Sequence, residues 1–380
     1  MTFGQRVKAV AAHGFTDRQA RFLVTVLLHS GVCMDRHYCA FARIAHGQKT
    51  TDFFRTLVGR KLATAYVCAH RRARIFHLHH RALYQAVGEP HSRFRKPTPI
   101  GAAIERLMIL DAVLGCPSVS WLATERDKLA HFSGLLTSRL RQEDMPHLAF
   151  GNGVETCVRY FPDKLPIGIA DDGREHIFGY LVTRAAPVDF RAFLLRHAEL
   201  LRALGRWVIR LWVPSQFREA QEAYEWAWKQ EYASPLRTST TDELRWFFGQ
   251  RRDGRLAASN RDQADRKRYL QASRAFSAPR YRVLYRAWLR EGASIVDATC
   301  SPALADAISR GTGRLEARSW RVLISSSPPW LARHESSSWG DKLGDRRLGG
   351  YCPPGPDVRR VGSVDGPPRY SETATASKGH

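Results

Sequence analysis

Three carboxylates, Asp163, Asp172 and Glu175, lie within one short stretch of the sequence. Acids at such spacing can hold Mg²⁺ against a phosphodiester, where the metal stabilises the charge on the displaced oxygen. The stretch that follows, His176 to Thr183, has neither an acid nor a lysine. Asp163 therefore lacks a metal partner on that segment, and Asp171-Asp172-Gly173 reads first as a hairpin turn. A second set is His77, His79 and His80. Alternate residues of a strand share a side, so His77 and His79 could share a metal. Two imidazoles do not close a zinc shell, and no Cys or acid stands beside them at ligand spacing. No phosphate-binding Gly-x-x-x-x-Gly-Lys-Ser/Thr loop and no Gly-x-Ser-x-Gly elbow occurs. No catalytic residue, metal or cofactor is expected on these grounds.

The third set is cationic and amidic: Gln48, Lys49, Thr51 and Arg55, then Arg60 and Lys61, then His70, Arg71, Arg72 and Arg74. Arg and Gln suit guanine and adenine edges, and any cation suits phosphate. These residues are expected to bind DNA. The first 100 residues contain seventeen Lys and Arg against four acids (Asp17, Asp35, Asp52, Glu89), a net of +13 within a chain total of +23. An excess of that size and placement favours a polyanionic partner, nucleic acid before membrane.

The elements that must position these residues follow from periodicity. Phe53, Phe54, Leu57 and Val58 recur at helical spacing after a polar lead-in at Gly47, with Gln48, Lys49, Thr51, Asp52 and Arg55 left outside and a stop at Gly59. Ala65–Cys68 and Arg74–Leu78 are strand-like and flank the tip His70-Arg71-Arg72, which predicts a hairpin. A helix followed by a basic-tipped hairpin is the pattern of a winged helix-turn-helix, the helix in the major groove and the wing on the backbone. A helix starting at Thr16-Asp17-Arg18-Gln19 and running to Gly31, another over Asp35–Ala45, and a closing helix around His80–Val87 complete that domain.

With Phe15-Thr16-Asp17-Arg18-Gln19, the hairpin-to-helix run Arg74–Tyr84, Phe161-Pro162-Asp163 and the strand-like Trp207–Val213 in view, residues 15–214 resemble the replication-relaxation family. These are winged-helix proteins of plasmids and other mobile elements. The resemblance implies DNA binding in replication or its control. It also implies a middle region similar to the PD-(D/E)xK nuclease fold, here without the usual strand acid and lysine.

The expected class is α+β. Residues 1–89 form the winged helix, 90–99 a basic linker, 100–214 an α/β nuclease-like domain, 215–324 a helical region and 325–380 a disordered Ser/Pro/Gly-rich tail. In the middle, helices are predicted over Ile100–Leu114 and Thr124–Leu140, then strands over Leu148–Phe150, Glu155–Phe161, Leu165–Ala170 and Ile177–Thr183. A helix over Phe190–Leu204 and the strand Trp207–Val213 complete it. Beyond lie helices over Gln216–Gln230, Thr241–Gly292 and Asp297–Ile308. Seven scattered cysteines with no Cys-x-x-Cys pair argue for reduced thiols and a cytoplasmic protein. No signal-peptide pattern opens the sequence, and Phe22–Leu28 is too short to span a bilayer. The expected partners are duplex DNA and a second copy through the helical region, with no membrane. Two alternatives remain open: a Mg²⁺-dependent nuclease using Asp163 with Asp172 or Glu175, and a transcriptional repressor with a ligand-sensing domain.

Overall fold

Two capping boxes open the chain. Thr2 with Gln5 starts α1 (Phe3–Ala11), and Thr16 with Gln19 starts α2 (Asp17–His29), each hydroxyl and amide satisfying an orphan N–H of the other. The structure, a computed structural model, describes residues 1–68, 73–150, 157–163, 165–170, 172–233, 236–253, 263–299, 305 and 308–320. The expected wing tip at His70–Arg72, Asp171 and the tail 325–380 lie outside the described residues.

After α2 come β1 (Val32–Met34), α3 (Asp35–Ala42), α4 (Gln48–Gly59), β2 (Ala63–Val67), β3 (Arg74–Leu78) and α5 (Arg81–Ala86). The three strands form an antiparallel sheet in the order β1-β3-β2. Cys68 N–H donates to the Ala73 carbonyl at 2.7 Å, closing the hairpin as predicted. Aromatic side chains lock helices to sheet. Phe54 of α4 stacks on Phe76 of β3 at 4.2 Å between centroids, and Phe53 meets Tyr38 of α3 at 4.5 Å. Gly31, at φ +72°, turns α2 into β1; a Cβ there would lie 2.5 Å from that of Phe94. Neither α1 nor β1 was expected. Val58, assigned to the inner face, is 37% exposed because the α4 stripe narrows to Phe53, Phe54 and Leu57.

The basic segment 90–99 is docked rather than a solvated connector. Phe94 packs against the N-terminal core, His77 Nε2 lies 2.7 Å from the Phe94 carbonyl oxygen, and Arg95 Nη1 donates to the Pro90 carbonyl at 2.6 Å. The bond to a carbonyl requires His77 to carry its proton on Nε2.

The remainder is a sheet covered by helices. Its elements are α6 (Ile100–Leu114), β4 (Val119–Leu122), α7 (Glu125–Leu135), the pair β5 (His147–Phe150) and β6 (Cys157–Tyr160), β7 (Ile167–Ala170), β8 (His176–Leu181), α8 (Val188–Ala203) and β9 (Trp207–Pro214). Then come α9 (Gln221–Trp228), α10 (Thr238–Asp253), α11 (Gln263–Ala275), α12 (Pro279–Glu291), α13 (Ser294–Ala298) and β10 (Gly313–Trp320). The five-stranded sheet runs β10-β9-β8-β7-β4, with β8, β9 and β10 mutually parallel and β7 and β4 antiparallel. Helix α8 joins the parallel neighbours β8 and β9, as such neighbours require, and buries Phe190, Phe193, Leu194 and Leu201 against Phe178, Tyr180, Ile209 and Leu211. Met108 of α6 meets Leu181 and Trp212. Gly179 leaves room for Trp212: a Cβ there would lie 2.2 Å from the indole. The chain is thus a mixed α and β protein.

Several boundaries differ from the sequence reading. β10 falls in the stretch expected to be helical, and pairing along the whole length of β9 makes it a strand. β4 was not expected either. The helix expected to reach Leu140 ends at Leu135. That over Gln216–Gln230 is a 3-10 turn (Ser215–Ala220), then α9, then a π turn (Lys229–Ala233). The last expected helix begins earlier, as α13, and most of its remainder lies outside the described residues. Among the described residues no helix is long and apolar enough to cross a membrane.

Candidate nucleic-acid interface

Helix α4 turns one face inward and a polar face outward. Thr50, Phe53, Phe54 and Leu57 are buried, whereas Gln48, Lys49 and Arg55 are exposed. Thr51 is half-buried, its hydroxyl donating to the Gly47 carbonyl at 3.2 Å. Asp52 gathers two of the outward side chains: Gln48 Nε2 donates to Oδ1 at 2.7 Å, and Arg55 Nη1 at 2.5 Å. That cluster is exposed and its ion pair weak, so an incoming phosphate can compete for Arg55.

The helix ends in a Schellman motif. Leu62 N–H donates to Leu57 O at 2.9 Å and Lys61 N–H to Val58 O at 2.9 Å, with Lys61 itself left-handed at φ 56°. Gly59, read as the stop, is the last helical residue. Arg43 repeats the device after α3, at φ 54°, with Ile44 N–H on Cys39 O. Glycine is the usual occupant of such positions. Here two exposed cations take them, one in the α3–α4 turn and one after α4. Arg43 was missed in the sequence because the helix expected over Asp35–Ala45 ran through it, whereas α3 ends at Ala42.

Two expected contact residues are also tied to the fold. Arg60 Nη1 donates to the His13 carbonyl at 2.7 Å, and its guanidinium lies 5.3 Å from the Phe15 centroid, tying α4 to the α1–α2 turn. Arg74 lies 3.8 Å from Asp35 and over the Phe76 ring. Burial pushes the Asp35 carboxyl up, and the Arg74 guanidinium opposes that. The histidines are used singly. His79 Nε2 lies 3.0 Å from the Thr64 hydroxyl, and the His80 ring accepts the Ala82 N–H at the start of α5. Burial lowers the pKa of both His77 and His79. The structure thus brings Gln48, Lys49, Thr51, Arg55 and Lys61 to one helix and its exit, while His70, Arg71 and Arg72 fall in the undescribed tip.

The three acids do not converge. Asp163 Oδ1 accepts from Arg196 Nη1 at 2.6 Å. Glu175 pairs with Arg206 at 3.2 Å and with Arg314, and those guanidiniums hold its carboxyl below the usual range. Asp172 Oδ1 accepts the Arg174 N–H at 3.0 Å within the turn that Gly173 makes at φ 69°. Among the described residues no group of three His, Cys, Asp or Glu is placed to hold a metal ion. Around Asp163, a cavity lined by Lys128, Phe161, Phe178, Phe193 and His197 leaves about 10 Å³ for the centre of a water molecule, room for one. Asp163 Oδ2 is buried there without a hydrogen-bond partner among the described residues. Lys128 Nζ donates to the Leu165 carbonyl at 2.8 Å, and burial brings its ammonium down to about 8. Cys33, Cys39, Cys68 and Cys116 are free thiols, but Cys157 is disulfide-bonded, contrary to the expectation of reduced thiols throughout. Spacing along the chain does not report which cysteines meet in space.

No protein-family model matches the chain, and comparison with curated proteins and with solved structures returns no match.

Proposed function

We propose that residues 1–89 are a winged helix-turn-helix that binds duplex DNA, with α4 in the major groove and the β2–β3 hairpin as the wing. One observation carries this reading. The order α2, β1, α3, α4, β2, β3, closed into a β1-β3-β2 sheet, leaves the outer face of α4 unpacked and edged by Lys49, Arg55, Lys61 and Arg43. The resemblance to replication-relaxation proteins points the same way, to a role in replication or its control on a mobile element. The α/β body acts without cutting DNA, since Asp163 and Glu175 are each neutralised by arginine.

The direct experiment is a titration of the full chain against labelled random duplex and against duplex recovered by selection, at several salt concentrations. Lys49→Ala should remove about one unit from the slope of log affinity against log salt on every sequence. Arg55→Ala should cost about 1–3 kcal/mol on the selected site and much less on random duplex. Binding by both variants with wild-type affinity and slope would end the proposal.

Lys61 gives a second test in which stability and binding move oppositely. A side chain in the left-handed region costs about 1–2 kcal/mol relative to glycine. Lys61→Gly should therefore raise unfolding free energy by about 1 kcal/mol and still flatten the salt slope. Urea denaturation together with the same titrations measures both; a stabilised variant with unaltered DNA binding would exclude Lys61 from the interface.

A further inference from the structure

Helix α12 carries four arginines, Arg280, Arg282, Arg286 and Arg290, against one acid, Glu291. The two inward members of this set are engaged. Arg280 lies 3.2 Å from Glu231, and Glu291 lies 3.7 Å from Arg196. The outward members are not. Arg282, Arg286 and Arg290 recur every fourth residue, so they share one face; all three are exposed, and none pairs with a carboxylate among the described residues. Beside them the end of α10 adds Arg251, whose guanidinium lies 4.5 Å from the Tyr285 centroid, and Arg252, 5.2 Å from that of Trp288 and ion-paired with its neighbour Asp253 at 2.9 Å. Those contacts hold two further cations against the flank of the same helix.

We propose that this face is a second polyanion site, distinct from α4, that takes the sugar-phosphate backbone of nucleic acid. Eight residues of helix rise about 12 Å, which matches the axial rise of three to four nucleotides of one strand. The stripe therefore meets several successive phosphates without reading bases. An anionic membrane is the competing surface of the same charge. Peripheral helices bind membranes by sinking an apolar face into the acyl boundary, and the apolar face of α12 (Val283, Leu284, Ala287) is buried in the protein. Two copies of this face would repel each other, which moves any dimer contact elsewhere. The site does not depend on α4: a chain whose N-terminal domain bound no DNA would still present it.

The test uses the full chain. A photo-reactive amino acid replaces Leu289, which is 49% exposed on the same face, and another replaces Leu135, on α7, as control. Irradiation with labelled 30-base-pair duplex should crosslink the first and not the second. Separately, Arg282→Gln with Arg286→Gln and Arg290→Gln should flatten the salt slope by about two to three units, with an unchanged melting temperature because all three side chains are exposed. Both results are required. Absence of the Leu289 crosslink, or an unaltered slope in the triple variant, overturns the site. Co-sedimentation with phosphatidylserine vesicles that the triple variant loses, with DNA binding intact, also overturns it and assigns the face to a membrane. Failure of the α4 variants alone leaves both readouts in place, so the two sites are judged separately.

Discussion

Glu231→Ala should destabilise the protein by about 3–5 kcal/mol. Glu231 is 5% exposed and stands between two arginines that are themselves largely buried. Arg191 Nη1 donates to Oε1 at 2.6 Å and its Nη2 to Gln230 at 2.5 Å, while Arg280 approaches Oε2 at 3.2 Å. Removing the carboxylate takes from two largely buried guanidiniums the counter-charge that Glu231 supplies. The pairs join α8, the π turn and α12, so the loss should also loosen the helix that carries the arginine stripe. Replacing all three residues by apolar ones of similar volume should be far milder, within about 2 kcal/mol of wild type, because the desolvation of every charge disappears together. Urea unfolding of the single and triple variants decides this. A single variant as stable as wild type would mean that water reaches the arginines.

Acid should remove a further, separable part of the stability through His197. Burial pulls its imidazole down to about 4; Asp163, 4.0 Å away, opposes this, and the charges of Arg196 and Lys128 add to it. Its Nδ1 lies 2.9 Å from the Phe193 carbonyl, and its ring meets those of Phe193 and Phe178. The folded pKa lies below the ordinary 6.5. As the pH falls from about 6.5 to 4, the unfolded chain takes up a proton that the folded chain does not, and stability drops. At about 1.4 kcal/mol per unit, the loss is on the order of 3 kcal/mol. Above pH 6.5 the term vanishes. His197→Phe suits the aromatic surroundings and removes the titration, so its stability should fall less across that window. Unfolding of both proteins at pH 7, 5.5 and 4 measures the difference; parallel losses would show that His197 protonates freely in the fold.

What the sequence discloses of this fold depends on the range of the interaction concerned. The Thr16–Gln19 box, the α4 stripe Phe53-Phe54-Leu57, the β2–β3 hairpin and the β8–α8–β9 run are local patterns, and each forms where periodicity places it. The Thr2–Gln5 box was equally local and was passed over. β1, β4 and β10 are strands because of their neighbours. Gly-Arg-Leu-Glu-Ala-Arg-Ser-Trp over 313–320 has the charge pattern of an exposed helix and becomes a strand by pairing with β9, far back in the sequence. The candidate interface divides likewise. That Lys49 and Arg55 face outward follows from the α4 period. That Arg60 and Arg74 serve as clasps follows from His13, Phe15 and Asp35, which no spacing rule connects to them. Val58 shows the limit of periodicity itself, since an apolar residue at the stripe's edge is buried only if a neighbour reaches it.

The pairing of β10 with β9 also orders events on the ribosome. All eight residues of β9 are buried in the finished protein, and among the described strands one of its two edges is paired by β10. The covering strand is synthesised about a hundred residues after Pro214, which at about 5–20 residues per second is a delay of roughly 5–20 s. The sheet of the first ninety residues needs nothing from that distant segment. The α/β body must hold a long, apolar strand with an open edge for that interval, the condition under which nascent chains pair with one another. A chaperone that shields Trp207–Pro214 during synthesis would act on the segment most exposed to that error.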